Sequence, residues 1–105
     1  MKVYSGTQPE VYAVSAQELR IHWNIQEIQV ETMDGETETQ WEANEALCHV
    51  NDTRDVLIEK IIGSVHTAGA EIALINNKDT DPEAYAQYQA FRAEAKALAD
   101  EWVNR

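Results

Sequence analysis

The chain has 105 residues and a formal net charge of -11, with 19 acidic side chains against 8 basic ones. The length fits one domain, and we predict a single domain over residues 1–105 with a β part (1–50) and a helical part (51–105). So negative a chain repels nucleic-acid phosphate and anionic lipid, which disfavours nucleic acid and membrane as partners. The lone Cys48 excludes an internal disulfide.

The N-terminus carries no apolar signal stretch, since it begins Met1-Lys2-Val3-Tyr4. No apolar run approaches the roughly 20 residues that a membrane helix needs. We therefore expect a protein that is not secreted by a signal peptide.

Two short apolar segments near the N-terminus predict two short strands, Lys2–Tyr4 and Val11–Val14. A hairpin alone is only marginally stable in water. We therefore expect one or both strands to pair beside the base of the hairpin that follows.

A long hairpin is the main prediction, with strands over about residues 19–33 and 36–50. Asp34-Gly35 between alternating segments is a strong hairpin signal, because a type I′ turn needs positive φ at both central residues. A turn centred there pairs Met33 with Glu36. With two or three helices after it, the hairpin predicts an α+β fold built on an antiparallel sheet.

This register places Ile28 opposite Trp41 and Val30 opposite Thr39 on one face of the hairpin. The other face then carries glutamates in opposed pairs, and no Lys or Arg lies between Ile21 and Thr53. The candidate partner-binding residues are the four glutamates Glu27, Glu31, Glu38 and Glu42.

Three interpretations of this acidic face stay open. It is a solvated surface whose carboxylates point into water, a docking face for a basic partner, or a site for a divalent ion. No loop has ligand spacing like that of an EF-hand, so we assign no metal ligand.

The apolar pattern of the first long strand changes parity near its middle, where Ile21, Trp23 and Ile25 give way to Ile28 and Val30. A β-bulge near Gln26-Glu27, or a strong twist, would cause this change. Each arm could span about 50 Å, against a radius of gyration near 13 Å for a domain of this length. We therefore expect a projecting arm or a sharp bend.

Helical spacing of apolar residues predicts helices over about 52–66, 70–77 and 82–103. Asn51 or Asp52 is the expected N-cap of the first helix, and Asp81 with Pro82 begins the last.

No catalytic, cofactor or metal motif is present in the sequence. His22 and His49 lie near each other across the hairpin base, but Cys48 and His49 point to opposite faces of their strand, which argues against a metal site. The four glycines are too scattered for a phosphate loop. We predict a chain that is not an enzyme and binds no cofactor.

Three segments resemble small proteins encoded among the tail genes of phages and prophages of gut bacteria, near tail-fibre-assembly genes. They are Leu19–Gln26, Ile72–Asn77 and Tyr88–Lys96. The resemblance implies a role in the virion or in its assembly, located in the bacterial host cytoplasm or the virion. It assigns no functional residue.

The sequence and the resemblance together favour a non-catalytic structural or assembly protein of the tail region. Its expected partner is a protein, either a tail component or another copy of the chain in a homo-oligomer. The alternative is an acidic decoy that imitates nucleic acid and inhibits a host DNA-handling enzyme, because carboxylates in rows could imitate phosphate spacing.

Overall fold

The computed structural model describes residues 1–105 and has an α+β fold, as predicted. A four-stranded antiparallel sheet precedes three helices. The strands are β1 (Lys2–Ser5), β2 (Tyr12–Ser15), β3 (Glu18–Glu31) and β4 (Thr37–His49). The helices are α1 (Arg54–Gly63), α2 (Ala68–Asn76) and α3 (Pro82–Val103).

The chain divides into two compact units, Met1–Val50 and Asn51–Arg105. The first contains the sheet and the second the helices, so the division falls where the predicted β part meets the predicted helical part. Whether the whole chain is one domain stays a prediction.

The sheet has the strand order β1-β4-β3-β2, with the long hairpin in the centre and the two short strands at its edges. β1 pairs with the middle of β4, from Lys2 opposite Asn44 to Ser5 opposite Trp41. β2 pairs with the beginning of β3, where Tyr12 lies opposite Ile21. The predicted pairing of short strands beside the hairpin base is confirmed.

The turn between β3 and β4 is at Asp34-Gly35, but it is not the predicted type I′ turn. The Thr32 N–H donates to the Glu36 carbonyl (2.8 Å) and the Gly35 N–H donates to the Thr32 carbonyl (3.0 Å). Among the residues of this loop, only Gly35 has a positive φ (79°). This is a three-residue loop in which glycine takes the left-handed position, and it shifts the expected register by one residue.

A β-bulge interrupts β3 between Trp23, opposite Asn44, and Gln26, opposite Glu42. Two residues on β3 therefore lie opposite one on β4, and the first of them, Asn24, has a φ of 51°. Asparagine tolerates this left-handed conformation better than most residues. The bulge lies two residues before the predicted position and accounts for the change in parity.

The bulge keeps the apolar side chains of β3 on one face of the sheet. Leu19 and Ile21 are fully buried there, Trp23 is 5% exposed, and Ile28 and Val30 follow beyond the bulge. We call this side the apolar face. The opposite side, which carries Arg20, His22 and Glu45, is the polar face.

Ala16, in the turn from β2 to β3, has a φ of 56°, a backbone conformation that residues with a Cβ rarely adopt. We expect Ala16→Gly to raise the free energy of unfolding by about 0.5–1 kcal/mol, because glycine removes this strain. The entropy that glycine adds to the unfolded state offsets only part of this gain. Urea denaturation measures the change. Ala13→Gly, in the adjacent strand, is the control and should lower the stability instead.

Each helix begins at a capping side chain. The Thr53 hydroxyl accepts from the Val56 N–H at α1, and the Thr67 hydroxyl accepts from the Ala70 N–H at α2. Neither Asn51 nor Asp52 is the cap of α1, since the hydroxyl one residue later takes that role. At α3, Asp81 caps and Pro82 follows, as predicted.

α1 packs against α3 in the helical unit, and the buried side chains include Leu57 and Ile61 from α1 with Ala95 from α3. The Arg54 guanidinium binds the Asp100 carboxylate across this contact. That hydrogen bond holds the pKa of Asp100 below its usual range. The pair therefore contributes stability above the unfolded pKa of the carboxyl, and this is lost as the pH falls through the lowered pKa.

Candidate functional site

The outer half of the hairpin is a ribbon formed by residues 26–31 of β3 and 37–42 of β4. It is two-stranded except at Trp41 and Glu42, which also pair with β1. β2 pairs with β3 only at residues 18–21, and β1 pairs with β4 only at residues 41–44. Beyond these positions neither edge of the ribbon has a neighbouring strand. Unpaired strand edges present backbone N–H and C=O groups that another chain can extend.

The four glutamates predicted to share one face do not do so. Glu27 lies opposite Trp41 and Glu31 opposite Thr37, on the polar face. The other two lie on the apolar face, with Glu38 opposite Val30 and Glu42 opposite Gln26.

The physical reason is the three-residue turn. Successive side chains of a strand alternate between faces, so a register shift of one residue moves one strand's entire set of side chains to the other face relative to its partner. The expected pairs Glu27–Glu42 and Glu31–Glu38 therefore do not form, and neither does the expected apolar pair Ile28–Trp41.

The ribbon is acidic on both faces, with no basic residue of its own. From β1, the Lys2 ammonium lies 3.4 Å from the Glu42 carboxylate, at the inner end of the ribbon. No two glutamates lie directly opposite one another. The acidic residues within 26–42 are Glu27, Glu31, Asp34, Glu36, Glu38 and Glu42.

The direction of each backbone group follows from the hydrogen bond of Thr32 to Glu36. Hydrogen-bonded and non-hydrogen-bonded pairs alternate along an antiparallel ladder. The N–H groups of Gln29 and Glu31 therefore point away from β4, toward the free edge of β3. In β4, the N–H groups of Thr37 and Thr39 likewise point away from β3, toward the free edge of β4.

A buried ionic cluster lies on the polar face at the hairpin base, and the sequence did not predict it. The His22 Nε2 atom is 3.0 Å from Glu45 Oε2, and the two side chains are only 8% and 6% exposed. An Arg20 guanidinium nitrogen lies 3.7 Å from the other Glu45 oxygen. His22 Nδ1 lies 2.7 Å from the Glu10 carbonyl oxygen.

Both ring nitrogens of His22 face oxygen atoms. A carbonyl oxygen only accepts, so Nδ1 donates to Glu10. The Glu45 carboxylate, which also lies near Arg20, accepts from Nε2. An imidazolium would donate to both oxygens at once, so the geometry fits an ion pair of His22 with Glu45 in the β unit.

Histidine and glutamate are residue types that act as acid and base in active sites, but the ring nitrogens of His22 are not open to a substrate. Both atoms through which His22 could exchange a proton with a substrate are already bonded to protein oxygens. The His22 N–H also donates to the carbonyl of Val11 (2.8 Å), the residue that follows Glu10. The cluster therefore holds the N-terminal segment against the sheet.

The other predicted chemistry-bearing side chains are dispersed. His49 lies opposite Glu18 rather than near His22, and its Nε2 atom contacts Gln17 Oε1 at 3.1 Å. No three His, Cys, Asp or Glu side chains are grouped so that they could hold a metal ion. None of the three helices combines the length and hydropathy that crossing a bilayer requires.

In the helical unit, the Tyr88 hydroxyl of α3 donates to the Glu71 carboxylate of α2 (2.6 Å). Tyr88 is 2% exposed. Burial of the phenol, and then the contact with Glu71, raises the pKa of Tyr88 above its ordinary value. Because the folded pKa is the higher one, this group contributes stability that is fully present below a pH of about 10 and falls as the pH rises further.

We expect Tyr88→Phe to lower the free energy of unfolding by about 1 kcal/mol at neutral pH, because one hydrogen bond to a charged acceptor is lost. Ultraviolet titration of the tyrosinates should show fewer late-ionising tyrosines in Tyr88→Phe than in the wild type. Tyr4→Phe is the control, since Tyr4 is 60% exposed. If the late ionisation persists in Tyr88→Phe, the assignment of the raised pKa to Tyr88 is wrong.

Comparison with protein families, curated proteins and solved structures found no match for this chain. The geometry of the ribbon, with its open edges and acidic side chains, is therefore the main structural basis for inferring function.

Proposed function

We propose that the chain is a non-catalytic binding protein of a phage or prophage tail region, which acts in tail structure or assembly. Its ribbon receives a strand of a partner protein along a free edge. The observation that carries the proposal is the length of ribbon, residues 26–31 and 37–40, that no strand of this chain covers.

Backbone groups at the free edge form the hydrogen bonds to the added strand, and the side chains of the ribbon determine which partner binds. A strand added to β3 would pair with the outward N–H groups of Gln29 and Glu31. The acidic residues on both faces favour a partner strand with Lys or Arg, because like charges on neighbouring strands are destabilising. Phage origin comes from the resemblance of three segments to tail-region proteins, and the ribbon supplies a physical means of docking.

The test of edge binding uses proline, which removes an N–H donor without affecting an acceptor. We expect Gln29→Pro to reduce affinity for a tail component at least tenfold, because the lost N–H points outward from β3. Thr39→Pro makes the same change on the β4 edge and identifies which edge the partner uses. Circular dichroism should show that both variants keep the sheet.

Charge is tested separately with two matched double variants. Glu27→Lys with Glu31→Lys reverses the charge on the polar face, and Glu36→Lys with Glu38→Lys makes the same change of charge elsewhere in the hairpin. A partner held through one face should lose affinity in one of these variants only. Equal affinity of both variants and the wild type would support the interpretation that the glutamates form a solvated surface.

The biological test is deletion of the gene from an inducible prophage. We expect particles with defective or missing tails, and co-purification of the chain with tail components from the wild type. Intact infectious particles from the deletion would contradict the proposal. Salt-sensitive binding to a host DNA-handling enzyme, with normal particles, would instead support the decoy. That hypothesis relies on the net charge and on carboxylates in rows, and the four glutamates are divided between the two faces of the ribbon.

A further inference from the structure

Helix α2 is apolar but lacks a buried side chain. Its sequence, Ala68–Asn76, contains one charged residue, Glu71, and none of its residues is buried. Ile72 is 59% exposed and Ile75 is 44% exposed. A helix that is hydrophobic around most of its circumference is normally covered by other parts of a protein. This one leaves its apolar side chains largely in contact with solvent.

A groove runs between α2 and α3. It consists of two adjoining cavities of about 410 and 250 Å³, both lined by Leu74 of α2 and Ala84 of α3. The other residues that line the two cavities are Ala73, Asn77, Thr80 and Asp81 in the first, and His66, Gln87, Tyr88 and Phe91 in the second.

The α3 side chains in this groove recur at steps of three and four residues, from Ala84 to Phe91. They form one stripe about 10 Å long, which matches two turns of a helix. Grooves of this kind bind amphipathic helices, whose apolar residues at helical spacing fill successive positions.

The groove is acidic at the end formed by the α2–α3 turn. Asp81 lines it, and Asp79 and Glu83 lie beside it in the sequence, with Lys78 as the nearby base. Both Asp79 and Glu83 are exposed. An occupant with Lys or Arg at this end would be attracted, and an acidic occupant would be repelled.

We propose that the α2–α3 groove binds an amphipathic helix of a partner protein, with apolar side chains over two turns and basic residues toward Asp79, Asp81 and Glu83. A second copy of the chain does not fit this description, because its own helices carry at least as many acidic as basic residues. This surface lies in residues 51–105, so the proposal does not rest on the ribbon contact.

The test uses a fluorescein-labelled helical peptide of about four turns, with Leu at helical spacing on one face and Lys on the other. A second peptide has Glu in place of Lys, and a third has the Leu/Lys composition in scrambled order. We expect the Leu/Lys peptide to bind at least tenfold more tightly than either. Failure to bind, or equal binding of the scrambled peptide, overturns the proposal.

Two variants with the same change of charge locate the contact on α2. Leu74→Asp lies in the groove and should weaken binding at least tenfold, whereas Ile72→Asp lies on the same helix outside the groove lining and should leave the affinity within about twofold. Ala84→Phe fills the groove from α3 without adding charge and should also abolish binding. It keeps the test valid if Leu74→Asp disrupts α2.

Nuclear magnetic resonance and sedimentation complete the experiment. Amide shifts induced by the peptide should centre on Leu74, Ala84 and Tyr88. Shifts confined to the ribbon, or self-association of the chain that Leu74→Asp abolishes, would overturn the proposal. Because none of these measurements uses the ribbon partner, failure of the groove proposal leaves the proposed function untouched.

Discussion

His22→Ala should lower the free energy of unfolding by about 3–5 kcal/mol, because it leaves the buried Glu45 carboxylate without its main partner. This is a large part of the roughly 5–15 kcal/mol that stabilises an ordinary domain. Arg20 lies 3.7 Å from Glu45 but is about half exposed, so it compensates only in part. Urea denaturation followed by circular dichroism measures the loss. A change below about 1 kcal/mol would show that Glu45 is not held as an ion pair.

A double variant separates the cost of breaking this pair from the contribution of the pair itself. Replacing a buried ion pair with apolar residues of similar size is often neutral or stabilising. We therefore expect His22→Leu with Glu45→Met to be more stable than His22→Ala alone. Arg20→Ala is the milder comparison and should cost about 1 kcal/mol, since its side chain is exposed to water.

Ile21→Ala should cost about 3 kcal/mol, because it opens a cavity at the centre of the sheet. Ile21 is fully buried on the apolar face, where it lies between Tyr12 of β2 and Ala46 of β4, and both neighbours are also buried. The surrounding strands cannot close around the missing atoms without losing their register. Denaturant unfolding, with an unchanged slope, measures the loss.

Leu47→Ala is the matched control, because it removes the same number of carbon atoms from the polar face of the same sheet. Leu47 is 56% exposed, so this change should cost less than about 0.5 kcal/mol. A loss as large as that of Ile21→Ala would mean that the two faces of the sheet have been assigned the wrong way round.

The sequence predicted the hairpin but not its register. Asp34-Gly35 suits both a two-residue type I′ turn and a three-residue turn with glycine in the left-handed position. Nothing local distinguishes them, and the choice moves the glutamates of one strand to the other face. The acidic ribbon was therefore predicted, whereas the shared face of Glu27, Glu31, Glu38 and Glu42 was wrong.

The buried cluster was missed for a related reason. In the predicted register His22 would lie opposite Leu47, and the polar residues of an alternating strand are normally exposed. Only the bulge together with the true turn brings His22 opposite Glu45. Asn24 was the available signal, since it is a residue that tolerates positive φ in a strand otherwise rich in β-formers.

The helices were more predictable because their signals are local. Asp81 followed by Pro82 identified the beginning of α3, and the helical spacing of its apolar residues identified its extent. α1 ends at Gly63, three residues earlier than expected, and α2 begins at Ala68, two residues earlier. The apolar composition of α2 gave no indication that its side chains would stay exposed, because exposure depends on what packs against it.

The bulge at Asn24 makes the length of β3 adjustable at that point. If Asn24 were deleted, Ile25 alone would lie opposite Ala43, and Trp23 and Gln26 would keep their present partners. Every side chain before and after the deletion would stay on its own face. A deletion at Gln29 has no such compensation. Homologues one residue shorter at this position could therefore keep both the buried cluster and the open-edged ribbon intact.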